Sequence, residues 1–221
     1  STITSINDDG SLSSKIQVVQ HQGSSIDPNR QMEPHAHSIN VTPNNKFALV
    51  PDLGTDKVMI YKIDHDDNKL LSNDPSFGKV DPGMGPRHLE FHPNGKVLYV
   101  INEMGATITS FDFDQSSGEL DPIQTISTVP DSEKMKSCAD IHISSNGKFL
   151  YGSNRGHSNL AIFSVSEDGR NLTNSGYQST LGETPRNFSI DPLDNYLLAA
   201  NQDSGDIFTF KINQDDGTLE P

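Results

Sequence analysis

Three of the five arginines in this chain, Arg87, Arg155 and Arg186, recur at matching positions of a repeating unit. Four stretches align without a gap: HSINVTPNNKFALV from His37, RHLEFHPNGKVLYV from Arg87, ADIHISSNGKFLYG from Ala139 and RNFSIDPLDNYLLA from Arg186. They open on His37, Arg87, Ala139 and Arg186. Seven residues beyond the Lys or Asn that follows each turn stand Leu53, Glu103, Arg155 and Gln202. Arginine offers a rigid, permanently charged fork of donors suited to phosphate or carboxylate. A histidine among them can act as a general base or bond a neighbouring loop. Glu103 beside arginines has its carboxylate form favoured, which suits orienting a base or pairing an arginine. The candidate catalytic residues are therefore His37, Arg87, Glu103 and Arg155, and the candidate substrate-binding residues are Arg186, Gln202 and His35. The competing reading gives each of them a structural bond at a seam between units.

Metal chemistry is not indicated. His35, His88, His92 and His142 include no pair with a convincing ligand spacing, and His35 with His37 lacks an identifiable third ligand. Cys138 is alone, which excludes an intrachain disulfide and a thiolate zinc site; it reads as a small, half-buried residue. The acidic Asp-Gly turns lack the ligand-rich pattern of a calcium loop. No metal or organic cofactor is expected.

The elements that position these residues are strands. Each aligned unit opens with an alternating strand A, such as Leu89 and Phe91, followed by an Asn/Asp/Gly turn that tolerates positive φ. Strand B is continuously apolar, as in Val97-Leu98-Tyr99-Val100, which a sheet covered on both faces requires. A polar loop leads to strand C and an acidic Gly turn to strand D. In an antiparallel unit A runs out and B returns, so the start of A and the end of B share a face. The A–B and C–D turns lie on the other.

The starts at His37, Arg87, Ala139 and Arg186 are 50, 52 and 47 residues apart, a period that suits a four-stranded propeller blade. The sequence predicts one partial β-propeller array over residues 1–221, with blade units starting near 37, 87, 139 and 186 and a partial blade over 1–36. Strand C with its turn reads at Thr2 to Ile6 and strand D at Lys15 to Val19. With three full blades and a final A, B and C, the count is 17 strands. A closed four-blade ring would leave the last C strand with an unpaired edge, so the array is expected to be a fragment of a larger ring.

Composition narrows the partners. With 30 acidic against 16 basic residues the formal charge is −14, which disfavours nucleic acid or an anionic membrane. Nowhere are 18 consecutive apolar residues found, and the opening STITSINDDG shows no targeting segment. A small anionic substrate would need a local positive pocket. The oligomeric state is not legible, and the lone cysteine suits a cytoplasmic location.

The segments GPRHLEFHPNGKVLYVINE (Gly85 to Glu103), ADIHISSNGKFLYGSNRGHSNLAIFSVSEDG (Ala139 to Gly169) and TPRNFSIDPLDNYLLAANQDSGDIFTF (Thr184 to Phe210) resemble the propeller-type lactonases. That family includes bacterial seven-bladed 6-phosphogluconolactonase and the fungal carboxymuconate lactonizing enzyme. The resemblance, which runs from about Thr2 to Pro221, implies an all-β, seven-bladed propeller of four-stranded antiparallel blades, of which this chain holds about four. The parent would have roughly 350 residues at about 50 per blade. The family's proposed active-site His, Arg, Glu and Arg fall on His37, Arg87, Glu103 and Arg155, and Arg186 resembles a further rim arginine. Ala139 departs from the pattern by supplying no polar side chain. The implied activity is hydrolysis of a sugar lactone, first of all 6-phosphogluconolactone in the pentose phosphate pathway. A carboxymuconate cycloisomerase and a non-catalytic binding propeller are the alternatives.

Overall fold

The computed structural model describes residues 1–14, 17–130 and 137–221. Four four-stranded antiparallel sheets follow a two-stranded one, β1 (Thr2–Ile3) with β2 (Gln17–Val18). The first full blade is β3 (Asn40–Val41), β4 (Phe47–Asp52), β5 (Lys57–Asp64) and β6 (Lys69–Lys79). The second is β7 (Pro86–Phe91), β8 (Val97–Asn102), β9 (Thr107–Phe113) and β10 (Leu120–Ser127). The third is β11 (Cys138–Ile143), β12 (Phe149–Asn154), β13 (Asn159–Val165) and β14 (Leu172–Ser179). The fourth is β15 (Pro185–Ile190), β16 (Tyr196–Asn201), β17 (Asp206–Ile212) and β18 (Leu219–Glu220). Each sheet keeps its strands in chain order, as a propeller of four-stranded blades requires.

Three expectations are corrected. The described strands number 18 and not 17, because Leu219–Glu220 pairs with Lys211 and Ile212 and gives the last unit its own strand D. Strand A of the first unit shrinks to Asn40–Val41, although His37 N still donates to Pro51 O; Pro51 on the facing strand has no N–H to return. The opening strand C is only Thr2–Ile3, extended by an isolated bridge between Ile6 and Leu12. Lys15 and Ile16, the start of the expected first strand D, lie outside the described residues.

The turn column behaves as read. Asn45, Gly95, Gly147 and Asp194, equivalent residues of the four A–B turns, all have left-handed φ, of 56°, 67°, 74° and 58°. The hydrophobic cores lie between blades. Phe47, Leu49 and Ile60 of the first blade pack with Leu98, Val100 and Phe111 of the second; Tyr99 and Ile101 pack with Leu150 and Phe163 of the third. Tyr151 and Ile162 pack in turn with Phe188 and Phe210. Strands β4, β8 and β12 are buried along their whole length, whereas β16 alternates, with Tyr196 and Leu198 exposed. Buried tyrosines add a polar tie: Tyr99 Oη donates to Gly169 O at 2.6 Å and Tyr151 Oη to Gly217 O at 2.9 Å, each in the next blade.

Candidate active site: an arginine cluster around Glu103

One main-chain bond recurs in every unit and ties the end of strand B to the approach of strand A. Leu53 N donates to His35 O (3.0 Å), Glu103 N to Gly85 O (2.8 Å), Arg155 N to Ser137 O (2.8 Å) and Gln202 N to Thr184 O (2.8 Å). The two columns of candidate residues are thereby joined on one face. In the second blade the geometry is tight. Gly85 has φ +65°, and a Cβ there would press on Met104 and Leu53. Its N–H and that of Gly83 both donate at 2.7 Å to the carboxylate of Asp56, which turns the chain into β7.

Glu103 is the centre of the cluster. Its Oε2 lies 2.9 Å from Arg87 Nε and 3.0 Å from Arg155 Nη2, and its Oε1 lies 3.0 Å from Arg30 Nη2. Burial works to raise its pKa, but Arg155, the Arg30 hydrogen bond and Arg87 outweigh this and hold the carboxyl below its usual value. Arg87 is almost wholly buried. Besides Glu103 it reaches across to the third blade, where Nη1 donates to Ala139 O at 2.6 Å, and it meets His88 Nε2 at 3.2 Å. Ala139, which has no polar side chain to offer, contributes its carbonyl, and its small size leaves room for that guanidinium. Arg155 also donates to Cys138 O at 3.2 Å, and among the described residues its buried Nε has no partner.

His37 stands beside this cluster, its ring centroid 5.1 Å from that of His88 in an edge-on arrangement. The residue is exposed overall, yet partial loss of solvent around the ring, followed by the charge of Arg87, pushes its pKa down to about 4. Arg186 acts on both His37 and Arg87 electrostatically; it is exposed, and its Nη1 donates to Gln202 Oε1 at 3.2 Å. Gln202 in turn bonds Asp203 at 3.0 Å. His35 joins through its backbone: its N donates to Asp52 Oδ1 at 2.8 Å and its carbonyl receives Leu53 N, while the residue is exposed. The candidates thus divide into a buried group of Arg87, Glu103 and Arg155, an adjoining His37, and an outer Arg186–Gln202 pair.

Sequence reasoning missed Arg30, which lies outside the aligned units, and a second network behind the cluster. Asp140, buried, accepts His88 Nδ1 at 2.7 Å, Asn187 Nδ2 at 2.6 Å, Phe188 N at 3.1 Å and His142 Nε2 at 3.3 Å. Because Arg87 donates to Nε2 of His88, the proton of that ring sits on Nδ1 and points to Asp140. The detectable signal was the column Ser38, His88, Asp140 and Asn187, polar in all four units. Cys138 is fully buried, its Sγ donating to Asn102 O at 2.9 Å, and burial pushes its thiol up to about 12. Among the described residues no group of three or more His, Cys, Asp or Glu is disposed to hold a metal ion.

Known proteins resemble this chain over nearly its whole length. The 6-phosphogluconolactonase of Bacillus subtilis is 34% identical over 215 residues, which are 97% of this chain and 60% of that protein. The crystal structure of a candidate 6-phosphogluconolactonase from Bacteroides fragilis superposes with a TM-score of 0.92 at 40% identity, covering 99% of this chain and 62% of the other. The periplasmic gluconolactonase of Pseudomonas aeruginosa superposes at 0.93 with 31% identity, covering 100% and 61%. The chain therefore spans about three fifths of the length of these relatives. Residues 1–221 in full match the family described as Lactonase, 7-bladed beta-propeller. Four complete blades with part of a fifth, the shared face and the length of the match agree: the chain belongs to the lactonase family of seven-bladed β-propellers.

Proposed function

We propose that the full-length protein hydrolyses an anionic sugar lactone, 6-phosphogluconolactone, to 6-phosphogluconate. The observation that carries this reading is the set of three guanidinium groups within 3.0 Å of one buried carboxylate, on a chain of charge −14. Three positive charges against one negative leave a local excess that an anion would neutralise. The names of the Bacillus subtilis and Bacteroides fragilis relatives point to the same substrate, and that of the Pseudomonas aeruginosa relative to a sugar lactone.

The chemistry is an addition and an elimination. Water attacks the lactone carbonyl while His37, neutral above its lowered pKa, takes the proton. Arg87 and Arg155 stabilise the oxyanion that develops, in a site that needs no reorganisation because Glu103 and the carbonyls of Ala139 and Cys138 already fix both groups. Collapse of the tetrahedral intermediate breaks the bond to the ring oxygen, which receives the proton from His37. Arg186, bonded to Gln202 on the outer rim, adds positive charge that draws the anionic substrate in, and His35 is a further candidate contact at the first blade. Among the described residues the side-chain partners of Glu103 are all arginines, which favours an arginine-holding role over orientation of the base. Phosphorylated sugars do not cross membranes unaided, so this substrate suits a cytoplasmic site of action.

A coupled assay on the full-length protein tests the reading. Turnover above spontaneous hydrolysis is expected, and His37→Ala should lower kcat by about 10²–10⁴-fold. The acid limb of kcat/KM should lie near pH 4, where His37 gains its proton and ceases to be a base. Arg87→Lys keeps the charge but loses the fork that meets Glu103 and Ala139 together, and a loss of about tenfold or more is expected. Unchanged turnover in both variants would remove this site from the reaction.

A further inference from the structure

The connection that precedes β3 is unlike its counterparts. Residues 19–39 separate β2 from β3, whereas 80–85 separate β6 from β7 and 180–184 separate β14 from β15. The additional length lies on the face that carries the arginine cluster, since it leads into strand A. It is firmly held. His21 Nδ1 meets the buried Asp52 at 2.5 Å, Gln31 Nε2 donates to Leu53 O at 2.8 Å, and Glu33 O packs where a Cβ on Gly54 would sit. Within it, Asp27 Oδ1 accepts Asn29 N and Arg30 N at 2.8 and 2.9 Å, a turn that projects Arg30 toward Glu103.

Three arginines share Glu103, and they differ in what they have left to give. The side chains of Arg87 and Arg155 are 3% and 13% exposed and are partly committed to blade carbonyls. That of Arg30 is 53% exposed, although its Nη2 touches Glu103. It alone of the three presents much of its guanidinium to an incoming ligand. A phosphate monoester brings a charge of about −1.5 to −2 and three acceptor oxygens, a match for such a fork. We propose that Arg30 is a specificity-determining residue, which selects lactones carrying a phosphate monoester over uncharged sugar lactones. This rests on the lactone-hydrolysing reading of the same site.

The test compares 6-phosphogluconolactone with gluconolactone in the full-length protein. Arg30→Gln should lower kcat/KM for the phosphorylated lactone at least tenfold more than for the other, and Arg30→Lys should fall between. Equal losses for the two lactones, or none, would overturn the assignment. Calorimetric titration with 6-phosphogluconate and with gluconate separates this result from failure of the hydrolytic reading. Should the wild type turn over neither lactone, hydrolysis falls, and Arg30 is still decided by binding. A selective weakening of 6-phosphogluconate in Arg30→Gln upholds it; no weakening, or no binding to the wild type, overturns it.

Discussion

Two buried carboxylates, Glu103 and Asp140, lie in neighbouring blades, and their partners set them apart. Glu103 is ringed by arginines, which stay charged at every accessible pH and outnumber it. Asp140 is ringed by two imidazoles, an amide and a backbone N–H drawn from three blades. The first arrangement leaves positive charge unspent and one guanidinium half exposed. The second satisfies its carboxylate with hydrogen bonds that leave little to offer. On the proposed reading the same functional group serves recognition in one place and cohesion in the other, and the surplus or balance of charge around it decides which.

The contrast breaks most readily at Asp140. Asp140→Asn removes the charge and turns an amide toward donors, and it should cost about 3–5 kcal/mol of stability, as expected for breaking a buried, hydrogen-bonded charge pair. Chemical denaturation of the full-length protein would read this; a loss under about 1 kcal/mol would mean the three blades do not depend on it. Glu103→Gln should act mainly on function, lowering kcat/KM about a hundredfold as Arg87 and Arg155 lose their common anchor. If it instead destabilised as much as the Asp140 variant while sparing kcat/KM, the proposed division of labour would be wrong.

The smallest effect concerns His142. Burial works against its charged form, but Asp140 and Glu90 raise its pKa to about 9. A folded value above the unfolded one means stability fully present below about pH 6.5 and lost as pH rises through about 9. Glu103 and Asp140, held low, contribute in the opposite sense: their share is lost as pH falls below the ordinary carboxylate range. His142→Gln should therefore lower Tm by a few degrees at pH 6 and by less at pH 10. An equal shift at both would show that charge on the imidazole is not involved.

Much of this was legible because the chain repeats itself. The gapless alignment placed Asn45, Gly95, Gly147 and Asp194 in one column, and all four adopt the left-handed conformation such a turn needs. The argument that strands A and B return to one face located Arg87, Glu103 and Arg155, and the fold brings both arginines within hydrogen-bonding reach of Glu103. Arg30 escaped because its connection is far longer than the equivalent ones in the other units, so no column exists in which to compare it. Asp140 and His88 escaped for a different reason: their meeting is lateral, between equivalent positions of adjacent blades 52 residues apart, and alternation along one strand carries no trace of it. The short strand Leu219–Glu220 gave too few residues for any periodic signal.

The bond that recurs from Leu53, Glu103, Arg155 and Gln202 to the approach of strand A involves main-chain atoms alone. Its geometry is therefore indifferent to which side chains the two residues carry. A duplicated unit can exchange leucine for glutamate, arginine or glutamine at this place and still close in the same way. Innovation at the rim is insulated from the integrity of the blade, so an ancestral repeat with no activity could acquire chemistry one substitution at a time, without passing through an unfolded intermediate sequence.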